Sequence, residues 1–162
     1  MVLPDWSRVD VTLDGAFDLP DPGYSVLQIE VREFIRICGL LPVVAHRQDW
    51  VIAMSGAMML REMLIRQMKR AEGGPAGGML SLRRQISAED YDTLCALPEL
   101  RPDRNAVLDI HAALIARYIP AMAEYFDDKS EVWPTDFAKA TQAHLQDRLG
   151  VDWEFLSVLE SH

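Results

Sequence analysis

The chain is poor in positive charge and cysteine, has no excess of glycine or proline, and has no long apolar run. Lys and Arg number 16 against 25 Asp and Glu, a formal net charge of −9. That balance excludes a broad electrostatic grip on nucleic acid, which needs Lys and Arg gathered on one surface. A local basic pocket stays open. Two cysteines, Cys38 and Cys95, are too few for a disulfide framework. Both stand among apolar neighbours and read as buried free thiols in a reducing, cytoplasmic compartment. With 9 Gly, 9 Pro and 49% hydrophobic residues, the 162-residue chain is not disordered and suffices for one domain with one core. Val51 to Leu60, an uncharged stretch of ten residues, contains Ser55 and Gly56. It falls well short of the roughly 20 apolar residues a membrane span needs, so no membrane is expected as a partner. The opening MVLPDWSRVD lacks a basic start followed by an apolar stretch and reads as no secretion signal. Motifs are scarce too: no GxSxG, no Walker loop and no GxGxxG occurs, and His46 and His144 lack the HxxxH or HExxH spacing of a metal site.

What is present is helical periodicity behind a short extended segment. Arg8-Val9-Asp10-Val11-Thr12-Leu13 alternates polar and apolar and predicts a strand ending at Asp14-Gly15. Pro20, Pro22 and Gly23 make the next stretch an irregular connector, so 1–25 reads as strand plus connector and 26–162 as a helical bundle. A lone strand leaves backbone groups unpaired and invites another chain, which predicts a homodimer or larger oligomer. Leu27, Val31, Phe34, Ile35 and Cys38 form one stripe of a helix that Gly39 stops. A long helix is expected from about Arg47 to Arg70, its Met-rich surface serving as core filler, followed by a flexible loop with four glycines in Gly73–Gly78. Ser87 and Asp103 are N-caps for two more helices, the second running to about Asp127 with a kink at Pro120. Pro134 opens the last helix, which Leu149-Gly150 ends, and Trp153 to Leu159 adds a tail. The expected fold is all-α, an up-and-down bundle of five to six helices with a short N-terminal strand.

Three cationic or titratable residues fall on apolar stripes. On the helix after Asp103, Val107, Leu108, Leu114, Ile115, Tyr118 and Ile119 share a face at 100° per residue, with Asp109 and Arg117 turned away. Arg104 and His111, seven residues apart, fall in the middle of that face. Arg61 sits likewise among Trp50, Met54, Ala57, Leu64 and Met68. In a structural role Arg104 and Arg61 meet carboxylates and His111 is a hydrogen-bonded core histidine. In a functional role they make a cationic pocket able to hold a phosphate.

From about Phe34 onward the chain resembles the C-terminal half of bacterial nucleotidyltransferases of the aminoglycoside-adenylyltransferase type. The resemblance is carried by Gly39-Leu40-Leu41-Pro42-Val43-Val44, Arg47-Gln48-Asp49-Trp50 and Leu60-Arg61-Glu62-Met63-Leu64-Ile65. It continues through Asp103-Arg104-Asn105-Ala106-Val107 to His111, Tyr118-Ile119-Pro120, and Trp133-Pro134-Thr135-Asp136-Phe137 to His144-Leu145. It implies a helical half that closes a cleft and binds a small-molecule acceptor, with Arg61, Arg104 and His111 as substrate-binding candidates. In that family a sheet carrying a Gly-Ser turn, an Asp-x-Asp pair and a third carboxylate holds Mg²⁺ on ATP. Val9-Asp10-Val11 has the form of the third-carboxylate strand, which makes Asp10 a metal-ligand candidate. The Gly-Ser turn and the Asp-x-Asp pair are absent ahead of that strand, and one carboxylate cannot assemble a triphosphate–Mg²⁺ site. The chain is therefore expected to be a detached or truncated substrate-binding domain. It needs no cofactor alone, but Mg²⁺ and ATP once a catalytic nucleotidyltransferase domain completes it.

The same helical pattern resembles the HEPN family, whose ribonucleases place an Arg, four to six residues and then a His. Arg104 and His111 have six between them, and Asn105 follows the Arg. This alternative implies a homodimeric ribonuclease or toxin acting on nucleic acid. His111 would be its acid or base, and Arg104 would stabilise phosphorane charge.

Overall fold

Ser25 opens the first helix with a reciprocal cap. Its Oγ accepts from the Gln28 N–H at 3.1 Å, while the Gln28 amide oxygen accepts from the Ser25 N–H at 3.4 Å. Both donors would otherwise be unsatisfied. In the computed structural model, which describes residues 23–73 and 79–155, this cap begins α1 (Val26–Gly39). There follow α2 (Leu41–Arg47), α3 (Trp50–Ala71), a 3₁₀ helix (Met79–Arg84), α4 (Ala88–Cys95), α5 (Arg104–Asp128) and α6 (Thr135–Leu149). All regular structure among the described residues is helical, as the periodicity predicts. The expected strand, with Asp10, lies outside the described residues.

The helix ends follow local chemistry. Asp49, Ser87 and Asp103 each accept a hydrogen bond from a backbone N–H three residues on. Gly150, at φ 70°, closes α6 in a conformation suited to glycine. One expected boundary is wrong. The stretch from Arg47 to Arg70 is not a single helix, because Gln48 takes a left-handed conformation (φ 55°) and separates α2 from α3. Pro42 lies in the first turn of α2, where a missing N–H costs nothing.

The main core lies among α1, α3, α5 and α6. Phe34 stacks on Tyr118 with ring centroids 3.9 Å apart, surrounded by buried Val31, Leu60, Leu114 and Met122. Gly39 lets α1 approach α6 closely: a Cβ there would lie 3.2 Å from Thr141 Cγ2. Helix α5 is long and apolar enough to cross a membrane by length and composition alone, and more than half of that window is buried inside the bundle. It runs on through Pro120. Pro120 and Ala116 are both exposed, so the carbonyl that loses its N–H partner is on the watered side.

Two burial expectations are corrected. Cys38 is buried, and burial pushes its thiol pKa up, but Cys95 is exposed. At the end of α4, Leu94 takes the inward position and the next residue turns out. Met63 is core, whereas Met58 and Met59 are 58% and 51% exposed, so the methionine-rich surface of α3 is only partly filler.

Candidate functional site

Helix α5 separates the two residues that its stripe brings together in sequence. Arg104 is the first residue of α5 and exposed; its Nη2 donates to the Leu149 carbonyl at 3.1 Å. That carbonyl is one of the unsatisfied acceptors at the end of α6, so Arg104 acts as a tie between two helix ends. The mid-face placement expected for Arg104 is thus corrected. A residue in the first turn stands beyond the packed part of the stripe.

His111 lies two turns deeper and is 1% exposed. Its Nδ1 donates to the Val107 carbonyl at 2.7 Å. A carbonyl only accepts, so the proton sits on Nδ1 and Nε2 carries the lone pair. Trp153 stacks nearly parallel on the ring, 6.1 Å between centroids. Burial lowers the pKa of His111, opposed by the bond to Val107, so the ring is neutral at pH 7. Arg104 and His111 both engage the segment leaving α6, one on its surface and one beneath it. Arg61 is half-buried on α3, and no carboxylate of the described residues pairs with it.

A cleft lies elsewhere on the bundle. It has a volume of about 720 Å³ and runs between α4 and α5, lined by Glu89, Asp92, Thr93, Ala113, Ala116 and Arg117. A smaller space of about 200 Å³ shares Glu89, Thr93 and Arg117, and adds Asp90 and Gln67. Three carboxylates against one guanidinium favour a cationic ligand, and the larger volume is in the range of small-molecule sites. Sequence reading missed this cleft. Its one signal was the run of small residues on the outer face of α5, Ala113 and Ala116, which leaves room beside α4.

Asp90 and Asp92 are spaced as Asp-x-Asp, but within a helix that spacing turns them about 200° apart. Among the described residues, no group of three His, Cys, Asp or Glu side chains is placed to hold a metal ion. Comparison of the chain with protein-family models, curated proteins and solved structures gives no significant match.

Proposed function

We propose that the chain is a helical acceptor-binding domain of the nucleotidyltransferase type. It receives a small cationic, hydroxyl-bearing molecule in the cleft between α4 and α5. The observation that carries this reading is the cleft itself, about 720 Å³ with Glu89 and Asp92 on its α4 wall. The carboxylates that would hold Mg²⁺ and ATP come from residues other than the described bundle, in a catalytic domain. A homodimer belongs to the same reading. Val51 and Met58, 65% and 58% exposed, lie about 20° apart on α3 and give an apolar seam for a second copy. The ribonuclease reading needs His111 to reach a phosphate beside Arg104, and its burial works against that role.

The test is a titration of the ¹⁵N-labelled chain with a panel of aminoglycosides and with a neutral trisaccharide. The aminoglycosides are expected to shift amides of α4 and α5, more weakly as salt rises. The double variant Glu89→Gln/Asp92→Asn should lose about 10-fold or more in affinity, the scale of losing charge-assisted hydrogen bonds. No shifts at millimolar aminoglycoside, or equal binding by the double variant, would overturn the reading.

A further inference from the structure

A second cleft, of about 190 Å³, lies between α1, α2 and α3. Ile37, Leu41, Val44, Ala53 and Met59 form its wall, and Gly56 lines it where a side chain would otherwise stand. The polar groups at its edge are already engaged. Ser55 Oγ donates to the Val51 carbonyl at 3.4 Å, and Arg36 forms two 2.6 Å bonds with Glu33. His111 is the residue that α5 contributes to the wall. With Nδ1–H committed to Val107, Nε2 is an acceptor without a partner among the described residues. It is not one of the sealed, unpartnered atoms such as Tyr118 Oη.

Size and chemistry then restrict what fits. A dry apolar cavity of about 150 Å³ holds benzene, whereas drug-sized ligands need roughly 300 Å³ or more. The cleft therefore suits one ring. An acceptor left unmatched in an apolar wall is costly, and a ligand O–H or N–H removes that cost. A ligand without a donor gains only the apolar contact.

We propose that this cleft binds a single-ring aromatic molecule bearing one hydrogen-bond donor, with phenol as the simplest case. The ring lies against Ile37, Leu41, Ala53 and Met59, and its hydroxyl donates to His111 Nε2. The site shares no lining residue with the α4–α5 cleft and stands independently of the acceptor reading.

The experiment is titration of the full chain with phenol and with toluene, followed by the side-chain ¹⁵N resonances of the four histidines and by calorimetry. Phenol is expected to move the Nε2 resonance of His111, and toluene to bind without that response. In His111→Phe, which keeps a ring, the affinity ratio of phenol to toluene should fall about 5-fold, the worth of one net hydrogen bond. Gly56→Leu fills the cleft without touching His111 and should abolish binding of both. Gly56→Ala serves if the leucine variant does not fold. Its Cβ meets only Ile37 Cγ2, at an ordinary 3.6 Å, and it should weaken both ligands. No response to phenol at millimolar concentration overturns the proposal, as does phenol binding that the folded Gly56 variants leave unchanged. An unchanged phenol-to-toluene ratio in His111→Phe overturns the role of Nε2.

Discussion

Truncating His111 to alanine separates a structural histidine from a catalytic one. The substitution removes the Nδ1–H bond to Val107, worth about 0.5–1.5 kcal/mol. It also removes the parallel contact with Trp153, about 0.5–1.5 kcal/mol beyond burial. Loss of the buried ring carbons adds about 1 kcal/mol or more. The void opens beside an existing cleft, where water can enter, which limits the cavity cost. Together these give a loss of about 2–4 kcal/mol, or a melting shift of roughly 5–15 °C for a chain of this size. His111→Phe keeps the ring and its stacking and should lose only about 1 kcal/mol. Urea unfolding followed by circular dichroism reads both values, with the m-value checking that the unfolded state is unchanged. A His111→Ala protein that melts within about 1 °C of the parent would refute the reasoning. If it had also lost a measurable ribonuclease activity, the HEPN-like reading would replace it.

Other consequences are as direct. His111 is held neutral with a lowered pKa, so the unfolded chain takes up its proton first as pH falls below the ordinary histidine value of about 6.5. Stability should therefore decline from pH 7 toward pH 5, and the decline should be shallower in His111→Phe; parallel urea midpoints across that range decide it. Native protein should offer one fast thiol, Cys95, to a disulfide reagent, while Cys38 reacts only on unfolding. Two fast thiols would contradict the burial of Cys38. Arg104→Ala should cost only about 0.5–1.5 kcal/mol, because the tie to Leu149 lies on the surface. A loss as large as that of His111→Ala would mean that Arg104 is part of the core. By light scattering, the parent should be a dimer and Val51→Lys/Met58→Lys a monomer; a parent that is already monomeric removes the homodimer from the proposal.

The parts of this molecule legible in its sequence are those that local chemistry decides. Ser87 and Asp103 cap their helices through bonds spanning three residues, and the apolar stripe of α5 correctly buries His111. Periodicity gives an angle around a helix, but not depth along it or the position of a neighbour. Arg104 shares the angle of His111 and still reaches the surface, because it stands in the first turn. Met58 and Met59 are apolar yet more than half exposed, Met59 at the edge of the cleft between α1, α2 and α3. Gln48 carries no local signal for the left-handed turn that divides α2 from α3. The α4–α5 cleft was invisible for the same reason: it depends on how a short helix lies against the small-residue face of a long one.

The central claim is that this bundle binds an acceptor without carrying the transfer chemistry itself. Mass spectrometry of the acceptors after incubating the purified chain with ATP, Mg²⁺ and the aminoglycoside panel tests it most directly. The account predicts that every acceptor keeps its mass, although the aminoglycosides bind in the titration. An acceptor that gains the mass of an adenylyl group would contradict it.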